Sequence, residues 1–340
     1  MSSAREIANL RSIPTNGNIL LDYTAGDALE SGGTCNIAAG LNALGAATTG
    51  DDNIALGRLA LGAGTLTGGV NIAMGFASSQ SLTSGAQNVS IGRSAMSGIT
   101  TGCNNVAIGC STLSGGTLVG CENIAIGSAT MDALTSGKHN VAIGAAALGA
   151  ATDNMCNIAI GINALSASVN DADNNVAIGN SALGGADVSG ANNIAIGTTA
   201  MDALTTGACN IALGLNALGA ATDNCDNIAI GKAALAASVN DADNNIAIGT
   251  TALGGADVSG ANNIALGTTS MDALTSGACN VAIGINALGA ATDNCDNIAI
   301  GQSALAASVN DGDNNVAIGK TAMGGADVSG ANNVAIGTTA

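Results

Sequence analysis

From residue 36 onward, apolar and polar positions follow a fixed rhythm. An Asn is followed by an aliphatic residue, a small one, a second aliphatic and a Gly, as in Asn193, Ile194, Ala195, Ile196 and Gly197. Numbered from that Asn as position zero, the motif recurs eighteen times between Asn36 and Asn333, always 17 or 18 residues apart. Position +1 is always Ile or Val, and +3 is Ile, Leu or Met except at Ala39. Position +2 is Ala except at Ser90, +4 is Gly in every copy, and +8 is Leu or Met except at Ser79. From Asn140 the spacings cycle 17, 18, 18, 17, so residues 174–243 and 244–313 are near copies.

Period-2 alternation of β-branched residues closed by Gly predicts a short strand and a corner. A 17-residue unit is too short for a helix pair and suits one coil of a solenoid. The expectation is an all-β, parallel β-solenoid of about 18 coils. In this reading +1, +3 and +8 fill the interior. The Asn column forms a ladder at one corner, and Gly closes the strand at the other, where φ is positive or a Cβ has no room. Eighteen coils at roughly 4.8 Å each predict a rod of about 80 to 90 Å. Position +2 then points outward, and its row of Ala side chains reads as an apolar ribbon along which identical chains meet, most simply as a homotrimer; the competing reading is that this Ala merely fits a crowded corner. Position +5 holds Arg58, Arg93, Lys232 and Lys320 and reads as the solvent-facing edge.

Composition agrees with thin, uniform layers. Of 340 residues, 47% are hydrophobic but only 1% aromatic, with Tyr23 and Phe76 the sole rings. Gly numbers 50, and Pro14 is the only proline. The formal charge of −17 leaves no basic patch for nucleic acid and disfavours anionic membranes. It reads as a solubility device for an apolar-cored molecule. No stretch is long and apolar enough for a signal peptide or a membrane span, so the chain is expected to fold in a cytoplasm with its nine cysteines mostly reduced.

Candidate chemistry is sparse. Cys35, Cys156, Cys209 and Cys279 occupy position −1, Cys103, Cys121, Cys225 and Cys295 position −2, and Cys110 position +5. Adjacent-coil placement allows Cys209–Cys225 and Cys279–Cys295 disulfides; the alternative, small apolar fillers at a corner, is preferred. Asp223, Asp226, Asp241 and Asp243 fall on successive corners where stacked oxygens would suit Ca²⁺, but the spacing matches no calcium loop and Asx turns account for the same residues. One histidine, His139, and no paired carboxylates in an aromatic cleft leave no constellation for catalysis. No cofactor or metal is expected. Residues 1–35 break the pattern. A short helix in residues 3–10 and a strand near residues 17–23 are expected to cap the first coil or dock a baseplate or another fibre protein. Residues 71–79, with Phe76, Ser78 and Ser79, are a local irregularity.

The repeats as written, with an Ala-Leu a few residues on and a Gly-bearing turn, resemble the head repeats of trimeric autotransporter adhesins (the YadA-like head). Repeats of this kind also occur in fibres of tailed bacteriophages. The resemblance covers residues 36–340 and implies a left-handed parallel β-roll with three chains per rod, although coils of that family are typically shorter than these. The autotransporter branch calls for a secretion signal and a C-terminal anchor, neither of which is seen in residues 1–340. The sequence also stops inside a coil, at residues 332–340, as if a distal piece followed. The functional expectation is a non-enzymatic shaft of a phage tail fibre or related virion appendage, presenting a receptor-binding tip. The alternatives are an adhesin that binds a surface ligand through its loops, and a self-assembling extracellular filament.

Overall fold

The computed structural model describes residues 16–22, 24–29, 32–115, 119–240, 242–309 and 312–340. The expected N-terminal helix lies outside them. Two compact units divide the chain, residues 1–170 and 171–340. Among the described residues, unit 1 holds nine short strands, from β1 (Ile19–Leu20) and β2 (Ile37–Ala39) to β9 (Ile158–Ile160). Unit 2 holds ten, from β10 (Val176–Ile178) and β11 (Ile194–Ile196) to β19 (Val334–Ile336). Within each unit the strands pair in parallel with equivalent positions in register: Ile194 faces Ile211, Ala195 faces Ala212 and Ile196 faces Leu213. The parallel β-solenoid with one strand per 17- or 18-residue turn is therefore present. The array begins one coil before residue 36, because β1 pairs with β2 and Asn18 already occupies the Asn column.

From β2 onward each strand is only three residues long because the backbone turns at once on either side. Gly197 closes β11 at φ 140°, and a Cβ there would collide with the Gly214 carbonyl of the next coil. Any side chain is thus excluded twice, by dihedral and by space. Beyond it, positions +6 and +8 are left-handed although they are not glycine, as at Thr199 and Met201, both at φ 52°. Position −1 is left-handed too, as at Asn192 (φ 62°) and Cys209 (φ 60°). Such residues each cost on the order of 1 kcal/mol. They persist because every coil repeats the same bends and bonds main chain to main chain with the next, as in Ile194 N–H to Asn210 O (2.8 Å) and Gly197 N–H to Ile178 O (2.8 Å).

On the strand wall the interior is the reverse of the expected one. Position +2 points inward: Ala195, Ala212 and Ala229 are fully buried, together with Ala at +7 and Leu or Met at +8, such as Ala200 and Met201. Positions +1 and +3 face out. Ile194 is half-buried and Ile196 is 39% exposed. Alternation specifies that +2 opposes +1 and +3 but not which side is inside. Size decides it. The coil is so narrow that Leu or Met from the opposite wall fills it, leaving room for one methyl at +2. The Ala ribbon read from the sequence as an intermolecular surface is therefore the solenoid's own core, and the outward face is the Ile/Val pair.

Candidate self-association face

Two columns of aliphatic side chains, +1 and +3, run along the strand face of each unit, and the sequence places no charged residue in either. Ile158, Ile264, Leu266 and Ile298 are each about two-fifths exposed, between 38% and 41%. Beside them, position +5 adds Leu215 at 48% and Ile285 at 56%, interleaved with the exposed Lys232 and Lys320. An uncharged, part-exposed aliphatic face in an acidic chain is a candidate for self-association. The Gly at +4 keeps the face flat by turning the chain sharply at its edge.

The Asn corner that orients this face is a continuous internal ladder. Asn193 accepts the backbone N–H of Asn210 at 3.0 Å and donates its own amide to Gly207 O at 2.9 Å. All of these Asn side chains in the described coils are buried except the last, Asn333. The structural residues Asn193, Ile194, Ala195, Ile196 and Gly197 therefore each have a place in the coil: ladder, outer face, core, outer face and corner.

The cysteines pair by register rather than by proximity in sequence. Cys103 and Cys121 form a disulfide, with Cα atoms 4.8 Å apart, because both occupy position −2 on adjacent coils. Cys209 with Cys225 and Cys279 with Cys295, the disulfides that adjacent coils allow but that are not the preferred reading of the sequence, are free thiols. One member of each sits at −1 and the other at −2. The coil neighbour of Cys225 is instead Ala208, whose N–H points to the Cys225 sulfur at 3.5 Å, and that of Cys295 is Ala278. At −1 the backbone is left-handed and Cys209 and Cys279 are exposed.

At the acidic corners one carboxylate, that of Asp243, takes a backbone N–H, while Asp226 and Asp223 bond through their main chain. Asp243 accepts the Cys225 N–H at 2.7 Å, and Asp226 sits in the left-handed −1 position with its N–H on Ala208 O. The Asp223 carbonyl accepts from the Cys225 thiol at 3.3 Å, while Asp241 lies outside the described residues. Among the described residues no group of three His, Cys, Asp or Glu is arranged to hold a metal ion. His139 pairs with Glu122 at 2.9 Å, both at −1 on adjacent coils.

Two kinds of polar cluster inside the solenoid go beyond the expectations from sequence. Ser90, the one departure from Ala at +2, is buried with Ser78 and Ser79, each hydroxyl 2.7 Å from its own. This accounts for the two serines of the irregularity at residues 71–79: a hydroxyl in the core requires partners, and Ser79 replaces the usual Leu or Met. Asn154, Asn224 and Asn294, at −3 where other coils have Gly or Ala, are also fully buried and donate to Ser168, Ser238 and Ser308 at 2.8 to 2.9 Å. The signal was available, since each such Asn is followed by a Ser fourteen residues on. No helix among the described residues is long and apolar enough to cross a membrane. No protein-family model matches the chain, and no match was found among curated proteins.

Proposed function

We propose that the chain is a non-enzymatic structural protein, the shaft of a bacteriophage tail fibre or related virion appendage, working as a homotrimer joined along the +1/+3 face. The observation that carries this reading is the uncharged, largely aliphatic +1/+3 face repeated from β2 to β19. Three strand residues span roughly 10 Å and each coil adds roughly 4.8 Å, so the ten strands of unit 2 offer roughly 500 Å² of flat footprint. Specific interfaces bury about 600 to 1,000 Å² per partner, measured over corrugated side chains, so this face is of the right order. A three-chain arrangement is supported by the resemblance of the repeats, and a shaft needs length and stiffness, which identical coils supply one strand spacing at a time.

Native mass measurement tests the assembly. Three times the 32.1 kDa chain mass is expected, and a monomer at micromolar concentration overturns it. Immunogold labelling tests the placement: label on virion appendages is expected, and label confined to uninfected cells overturns it.

A further inference from the structure

Four consecutive coils of unit 1 carry Arg58, Phe76, Arg93 and Cys110 at position +5. Main-chain bonds stack them: Ala77 N–H reaches Arg58 O, Ser94 N–H reaches Phe76 O, and Ser111 N–H reaches Arg93 O. The Arg58 guanidinium lies 4.5 Å from the centre of the Phe76 ring. Arg93 Nη2 donates to the Cys110 sulfur at 3.1 Å, and the Ser111 hydroxyl is 3.8 Å from the same atom. The following coil presents the uncharged Ser128 at +5. Neither guanidinium has a carboxylate partner among the described residues. In a chain of net charge −17, two unneutralised guanidiniums in one column form a local anion-attracting strip beside a thiol.

The Arg93 hydrogen bond, with a smaller contribution from Ser111, holds the Cys110 thiol below the ordinary cysteine range. The thiolate is the nucleophile, and a neighbouring guanidinium is the surrounding that favours it. Cys110 is part-exposed, so a reagent can reach it. The exposed Cys35, Cys156, Cys209 and Cys279 have no hydrogen bond from a cationic side chain among the described residues.

We propose that Cys110 is a thiol–disulfide exchange site for small anionic disulfides, with Arg58 and Arg93 drawing the reagent in. The Cys110 proton is released to solvent and the thiolate attacks one sulfur of the disulfide. A bond forms between Cys110 and that sulfur as the original S–S bond breaks. The departing thiolate takes the electron pair and is protonated from water according to its own acidity. The exchange is redox-neutral overall and needs no further oxidant.

The test is site-resolved labelling of the native chain at pH 6.5 with 5,5′-dithiobis(2-nitrobenzoate), a dianionic disulfide, and with neutral 2-hydroxyethyl disulfide. Peptide mass mapping then reads each cysteine. Cys110 should react at least about threefold faster than Cys209 and Cys279, since thiolate fraction gains more than nucleophilicity loses. The lead should be larger for the anionic reagent, shrink with salt, vanish in Arg93→Gln and persist in part in Arg93→Lys. Equal rates at Cys110, Cys209 and Cys279, or a lead that survives Arg93→Gln, overturn the proposal. Labelling in guanidinium chloride should equalise all free cysteines, and the native mass of the same sample reports assembly separately.

Discussion

Asn193 Oδ1 accepts two hydrogen bonds from Asn210, one from its backbone N–H at 3.0 Å and one from its side-chain amide at 3.1 Å. Both residues are fully buried, so a single oxygen satisfies two donors that water cannot reach. Asn193→Ala removes that oxygen and the donor to Gly207 O. Leaving buried polar groups unpaired costs about 1–3 kcal/mol each, so a loss of about 2–4 kcal/mol is expected. Denaturant unfolding of the variant checks it; a midpoint unchanged from wild type would show that the ladder is dispensable.

Ala195 and Ile196 are neighbours with opposite environments, core and outer face. Ala195→Leu should destabilise by about 1–3 kcal/mol through overpacking. Ile196→Thr should cost less than about 1 kcal/mol in an isolated chain, as surface changes do. Thermal melts of the two variants under dissociating conditions rank them, and the reverse order would contradict the inward Ala.

Register rather than mere adjacency governs disulfides across coils. Ala208→Cys should therefore oxidise with Cys225, since the two positions stand as Cys103 and Cys121 do. Cys209 should remain free. Peptide mapping after mild oxidation reads the pair directly, and a Cys209–Cys225 bridge would refute the register argument.

Ser90→Ala leaves Ser78 and Ser79 without the hydroxyl they face, and should cost about 1–3 kcal/mol. Adding Ser79→Leu and Ser78→Ala restores the pattern of the other coils and should recover most of that loss. Chemical unfolding of the single and triple variants measures the coupling.

Burial pushes the Asp202 and Asp272 carboxyls above the ordinary Asp value of 3.8, partly offset by the Gly185 and Gly255 N–H groups. A raised folded-state pKa means that the native state holds its proton longer than the unfolded chain does. Stability from these groups is complete below pH 3.8 and is lost as pH rises through the raised value. Asp202→Asn with Asp272→Asn should therefore stabilise the protein at neutral pH and flatten this part of the pH profile. The gain should be less than about 1 kcal/mol, because both groups are part-exposed and solvent-screened. A loss of stability at pH 7 in pH-resolved melts would contradict the assignment.

Period, strand position, the Gly corner and the Asn ladder were all legible in residues such as Asn193, Ile196 and Gly197, because each reflects backbone geometry that one repeat unit dictates. The polar clusters at Ser90 and Asn224 showed in the sequence only as departures from the pattern, since that these groups are buried together is understood only beside their partners on another coil. The cysteine pairing likewise awaited the stacking of −2 upon −2.

The amino-acid sequence by itself determined that the chain coils every 17 or 18 residues with Ile or Val opposing Ala across a three-residue strand. Only the tertiary structure decided which of the two faces is inside. Alternation is symmetric between the faces, and the choice follows from the width of a coil already filled by Leu and Met from its far wall.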